Sequence, residues 1–280
     1  MRVRYSKLPI ASAAAGLPLL SGLVLSMYRS SAPTYYTQNV NGSMFLYNDI
    51  LWMTERLQKN AETYRKHAGK PKLETDIQAL EVFGKRAYGK EMESQRTIIG
   101  DLLDGAQGFA NCTETPFAQE CDLAISSVVD RLRHMHKQWK TVLSHSALLQ
   151  SLGSLLSTVV NKIIVDVCDM SDISEPESQR LTAFCNRIAT LEDLFAPETP
   201  QDITTDAQHA VPLTAVYTPN WLKFQYLSQI LDSTLVDIKY LWTEGELRLE
   251  FSADELADLI QALFADSEHR RRAIAEIRRS

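Results

Sequence analysis

The sequence is poor in cysteine: four in 280 residues, at 112, 121, 168 and 185. They form no CxxC pair and no zinc-type spacing, so they read as reduced cytosolic thiols packed as small apolar groups. A basic surplus is also missing. The net charge is -6, where a nucleic-acid binder would show a basic stripe. No HExxH helix motif and no GxSxG elbow occurs, and no repeat recurs at a fixed period. Strand patterning is almost absent; only Val211, Leu213 and Val216 could form a short extended piece. Two sequons, Asn41-Gly42-Ser43 and Asn111-Cys112-Thr113, carry no weight in a cytosolic chain.

What is present suits a folded protein: 45% hydrophobic and 23% charged residues. Arg2, Arg4 and Lys7 precede an apolar stretch from Ile10 to Leu25, which imitates a targeting segment. Gly16, Pro18 and Gly22 interrupt it, so a spanning helix is disfavoured. It reads instead as a core helix from about Pro18 to Ala32, with Leu19, Leu20, Leu23, Val24 and Met27 facing inward. Helical spacing then dominates. Leu46, Ile50, Met53 and Leu57 share one face of a helix from Ser43 to about His67, stopped by Gly69 and Pro71. A weaker pattern covers 73–103, and residues 104–115 read as a loop.

Pro116 opens the next helix, with Leu123, Val128, Leu132, Met135 and Trp139 on its buried side. The stretch 147–167 is apolar nearly all round and belongs inside a bundle. Ser174-x-x-Glu177, with Pro176 in the first turn, signals a helix ending near Phe195. Residues 196–218 hold several prolines, and between Asp172 and Asp206 acids outnumber arginines eight to two. A long helix is expected from Asn220 to Gly245, on the stripe Phe224, Leu227, Leu231, Leu235, Ile238 and Trp242. Ser252-x-x-Glu255 is a capping box, with Phe251 and Leu256 placed as its hydrophobic staple. Eight or nine helices with short connections predict an all-α chain of stacked antiparallel bundles. Its expected divisions are an N-terminal extension 1–16, a bundle 17–195, an acidic linker 196–218 and a second bundle 219–280.

Candidate chemistry is thin. Gly100 and Gly105 have P-loop spacing, but Ala106 stands where the phosphate-binding lysine belongs. His134 and His136, two apart on a helix, point in different directions. Ser144, His145 and Ser146 read as a junction between helices, because no strand is available to mount a nucleophile. Asn48 and Asp49 interrupt an apolar run; they read as a buried amide and carboxylate bonding a neighbouring helix end. Arg270, Arg271, Arg272, Arg278 and Arg279 have three readings: charge near a helix C-terminus, a patch for an acidic partner protein, or a headgroup contact. No catalytic, cofactor or metal site is expected.

The C-terminal block Pro219-x-Trp221-x-x-Phe224-x-x-Leu227, followed by Phe251-Ser252-x-x-Glu255-Leu256 and Phe264-x-Asp266-Ser267-x-x-Arg270, resembles the end of the zeste-white-ten family. Phe45-Leu46-Tyr47-Asn48-Asp49 resembles its aromatic–Asn–Asp segment, although Ile50 stands where animal relatives often carry cysteine. Residues 139–191 resemble the family in order and spacing. Family members are several times longer, and this chain begins where their C-terminal third would, so it is expected to be either a fragment or a chain whose start is mis-assigned. The resemblance implies a helical rod of the multisubunit-tethering type and no enzymatic activity. It also implies a place in a complex at the endoplasmic reticulum that captures Golgi-derived retrograde vesicles and holds SNARE proteins ready. The C-terminal region is expected to dock a large α-solenoid subunit, and membrane association is expected to be peripheral, through partners. In animals a second complex recruits dynein to kinetochores for the mitotic checkpoint. A membrane-anchored scaffold and a helical ligand-binding enzyme are the competing expectations.

Overall fold

The computed structural model describes residues 10–39, 41–68, 71–196 and 211–279, and gives no side-chain burial for 10–21, 61–68 and 71–73. Every regular element among the described residues is helical. They are α1 (Ile10–Tyr36), α2 (Gly42–Ala68), α3 (Pro71–Asp104), α4 (Phe117–Trp139), α5 (His145–Cys168) and α6 (Glu175–Ala189). After them come α7 (Leu213–Tyr217), α8 (Trp221–Leu231), α9 (Leu235–Thr243), α10 (Leu247–Glu250), α11 (Ala253–Leu263) and α12 (Glu268–Ile277). Short 3-10 turns occupy Gln107–Phe109 and Thr190–Phe195. The chain divides into two compact units, one of residues 1–94 and 138–144, the other of 95–137 and 145–280. The expected boundary at 196–218 therefore falls inside the second unit, because α6 and α8 on either side of it pack together.

In the first unit α1 and α2 form an antiparallel pair around Leu25, Ala32, Leu46, Ile50 and Leu80. This corrects the inward face of α1. Leu23, Val24 and Met27 are 57%, 60% and 61% exposed, while Leu25 and Ala32 are buried. Two stripes on this helix could serve, and α2 covers the one that continues through Tyr28 to Tyr36. The side chains of Leu19 and Leu20 lie outside the described residues.

The second unit is built around α5. Twelve of its residues, from Leu148 to Val167, are buried, with α7, α8 and α11 packed against the helix. By length and composition α5 could cross a membrane, but most of it is enclosed by these neighbours. On α4, Val128, Leu132, Met135 and Trp139 are buried as the spacing predicts, but Leu123 is 69% exposed. Residues 213–217 form a helix and not an extended piece, with Thr214 and Thr218 buried. The expected helix 220–245 is two helices. Asp232 ends α8, and Thr234 starts α9 with a capping box to Asp237. That box provides its own helix start, which favours a turn over one continuous helix. Burial pushes the Cys112 and Cys168 thiols up to about 11 and Cys185 to about 12, so all three are protonated at neutral pH.

Candidate protein-docking surface

The C-terminal helices fix their surface from a small set of aromatic and capping residues. Trp221 and Phe224 open α8 with ring centroids 5.5 Å apart, and both are fully buried. Ser178 on α6 donates to the Leu231 carbonyl at 2.5 Å, which satisfies one of the carbonyls left unpaired at the buried end of α8. The Ile173 amide donates to the Ala262 carbonyl at 2.9 Å and ties the α6 entry to the end of α11.

At the start of α11 the Ser252 amide donates to Glu255 at 2.8 Å, and the Glu255 amide donates back to the Ser252 hydroxyl at 3.2 Å. Phe251 and Leu256, on either side of this cap, are both buried. Lys223 reaches across from α8, bonding Glu255 at 2.8 Å while its ammonium lies 4.7 Å from the Phe251 ring centre. Burial opposes ionisation of Glu255. The Lys223 ammonium and the Ser252 donors together outweigh it and hold the carboxyl below its usual range.

The arginines are engaged one by one. Arg270 donates to the Phe264 carbonyl at 2.5 Å, to the Gln261 carbonyl at 3.2 Å and to Asp266 at 2.8 Å, and only 17% of its side chain is exposed. It therefore closes the C-terminus of α11 although it sits in the first turn of α12. Arg271 pairs with Asp266, Arg272 with Glu268 at 3.0 Å, and Arg278 with Asp254 at 3.1 Å. Arg271, Arg272 and Arg278 remain exposed, each beside a carboxylate. The Asp266 carboxyl is held below its usual range chiefly by the Arg271 bond.

Phe264 is half-buried at the C-cap of α11. Asn48 and Asp49, in the first unit, are half-buried on α2. Asp49 accepts a hydrogen bond from the Tyr36 hydroxyl at the end of α1. His134 is exposed and His136 half-buried on α4, and Ser144, His145 and Ser146 are exposed where α5 begins. Among the described residues no group of three or more His, Cys, Asp or Glu side chains is placed to hold a metal ion.

Sequence reasoning missed the apolar residues left outside. Val236 and Tyr240, one turn apart on α9, are 76% and 63% exposed, and Leu249 on α10 is 76% exposed. Glu244 and Glu246 on the connecting turn are exposed as well. The signal was available: on α9, Val236 and Tyr240 lie off the buried Ile238–Trp242 stripe. Val236, Tyr240 and Leu249 are thus large apolar side chains left at the surface of two consecutive short helices, a surface that a partner could cover.

The family model for the ZW10 C-terminal helical domain matches residues 123–277. The chain is 24% identical over 268 residues to a centromere/kinetochore protein zw10 homolog of Rattus norvegicus, covering 91% of this chain and 34% of that protein. It is also 24% identical over 262 residues to the Arabidopsis thaliana homolog, covering 90% and 34%. With centromere/kinetochore protein zw10 of Drosophila melanogaster the identity is 23% over 237 residues, covering 84% and 30%. The chain thus spans about a third of the length of the curated relatives it matches. With more than half of its residues inside that helical domain, the chain belongs to the ZW10 family.

Proposed function

We propose that this chain is the partner-docking C-terminal part of a non-enzymatic subunit of a vesicle-tethering complex at the endoplasmic reticulum, acting in Golgi-to-ER retrograde transport. Family membership across α4 to α12 supports the complex. The observation that carries the docking role is the exposed apolar set Val236, Tyr240 and Leu249 on the C-terminal helices. A partner that covers these side chains removes apolar area from water at about 25 cal/mol per Å². Its expected occupant is another subunit of the complex, the large α-solenoid, with SNARE proteins held indirectly and the membrane reached through partners. Arg271, Arg272 and Arg278, with their acids, supply charge on the same group of helices. A second site of action, at the kinetochore in mitosis, is favoured by the names of the relatives.

Affinity purification of the tagged protein from its own cells tests this. Tethering subunits should co-purify. Val236→Glu with Leu249→Glu should reduce their recovery at least tenfold, and Arg271→Glu with Arg272→Glu tests the arginine contribution by itself. A purification that yields no tethering subunit, or one unchanged by both variants, refutes the assignment. Imaging of the tagged protein in mitotic cells decides the kinetochore role separately.

A further inference from the structure

A second recess lies in the first compact unit, outside the matched residues 123–277. The end of α1, the start of α2 and the middle of α3 enclose a groove of 410 Å³. One close approach shapes its rim, and a second, outside its lining, holds α3 to α2. A Cβ on Gly42 would stand 1.9 Å from the Tyr36 carbonyl oxygen, so the turn between α1 and α2 closes tightly there. A Cβ on Gly84 would stand 2.7 Å from Ile50 Cγ2, so α3 lies close against α2.

The floor of the groove is apolar. Leu46 is buried, and Pro33, Phe83 and Ala87 are half-buried. Tyr36 lines it too, with its hydroxyl committed to Asp49. One wall is basic. Arg86 and Lys90 sit one turn apart on α3, both exposed, and neither is ion-paired among the described residues. Glu91, the one carboxylate of the lining, has a partner of its own.

We propose that this groove docks a segment of a partner protein in which a large apolar side chain lies within a helical turn of two carboxylates spaced four residues apart. The apolar side chain would fill the recess over Leu46, Phe83 and Ala87, whose other sides are held by the core of the unit. The carboxylates would meet Arg86 and Lys90. Their i,i+4 spacing sets the cations about 6 Å apart along α3, the same rise that separates i and i+4 on a docked helix. Two adjacent unpaired cations repel each other, and an acidic ligand replaces that repulsion with attraction. A membrane surface fits less well, because headgroup recognition uses clusters of four or more cations, and here two line a concave recess. The proposal goes beyond the C-terminal docking face and does not depend on it.

The test is a random peptide display library selected on the full chain and counter-selected on the Arg86→Glu, Lys90→Glu double variant. Both side chains are exposed, so the variant should melt as the wild type does. Selected peptides should share Phe, Leu or Met within one turn of two acids. They should bind the variant at least tenfold more weakly, the sum of two lost surface attractions and two new repulsions. Replacing their acids with lysine should restore binding to the variant. The proposal fails if no peptide is enriched over a protein-free control, or if the enriched peptides do not distinguish the two proteins. It also fails if phosphatidylserine vesicles bind the wild type and not the variant, which would give the cations to lipid.

Discussion

Gly153 lies in the middle of α5, and replacing it with alanine sets two effects of opposite sign against each other. Helix propensity alone favours the change: glycine in a helix interior costs about 1 kcal/mol relative to alanine. Packing opposes it. A Cβ at this position would stand 2.2 Å from the Tyr217 carbonyl oxygen, 2.6 Å from its carbonyl carbon and 2.8 Å from its Cβ. These are mainly backbone atoms at the end of α7, so rotating one side chain relieves nothing. The short helix would have to move away from α5 by about 1 Å to restore ordinary van der Waals distance. Its buried Thr214 and Thr218 would move with it. Overpacking of this kind costs about 1–3 kcal/mol. Contacts of 2.2 and 2.6 Å to backbone atoms place it in the upper part of that range, about 2–3 kcal/mol, which less the propensity gain leaves Gly153→Ala destabilised by about 1–2 kcal/mol. For a unit of this size that lowers Tm by roughly 2–8 °C.

The internal control is Gly100→Ala on α3, where a Cβ meets nothing within 4 Å. There propensity acts alone, and stability should rise by up to about 1 kcal/mol. Thermal melts of both variants beside wild type, at one pH and concentration, give the signs directly. Hydrogen exchange adds the location: in Gly153→Ala the Thr218 amide, which donates to Thr214 at 2.8 Å, should lose protection first. If Gly153→Ala melts at or above wild type, or Gly100→Ala falls as far as Gly153→Ala, the close approach of α7 to α5 is refuted.

Arg270→Ala should cost about 1–2 kcal/mol in chemical denaturation, because it uncovers the Phe264 and Gln261 carbonyls at the end of α11. Arg271→Ala, at an exposed pair, should stay within about 0.5 kcal/mol of wild type, and equal effects would remove the capping role of Arg270. Glu255→Gln should weaken the protein by under about 1 kcal/mol at pH 7, since its pair with Lys223 is partly solvated. The sign of its pH dependence follows from the depressed carboxyl. Its contribution is present above the ordinary carboxylate range and is lost as pH falls through the lower folded-state value. The Tm gap between wild type and Glu255→Gln should therefore shrink as pH falls below about 5. A gap that stays constant down to pH 3 would show that the charge of Glu255 does not contribute.

The parts of this fold that could be read from the sequence are those where one signal has no rival. The stretch 147–167 is apolar on every side, so it had to be enclosed, and α5 is. Ser252-x-x-Glu255 sits between Phe251 and Leu256, and cap and staple name the same start for α11. Misreading occurred where two signals compete. On α1, the stripe through Leu23 and Met27 and the stripe through Leu25 and Ala32 both have helical spacing. Only α2, which lies against the second, decides between them. Between α8 and α9 the apolar stripe runs on from Leu231 to Ile238, and this continuity hides the Thr234–Asp237 cap that starts a new helix.

The candidate docking residues can be found without any helix boundary. Whether α8 and α9 are one helix or two, Val236 and Tyr240 fall on the face opposite the stripe of Leu231, Leu235, Ile238 and Trp242. The arginines erred in the opposite direction: as sequence they are a charge run, yet Arg270 is consumed by the carbonyls of α11 and the others stand beside acids. A docking surface is what remains after the caps and the core have taken their residues. Its apolar members are those that fall off the buried stripe of their own helix.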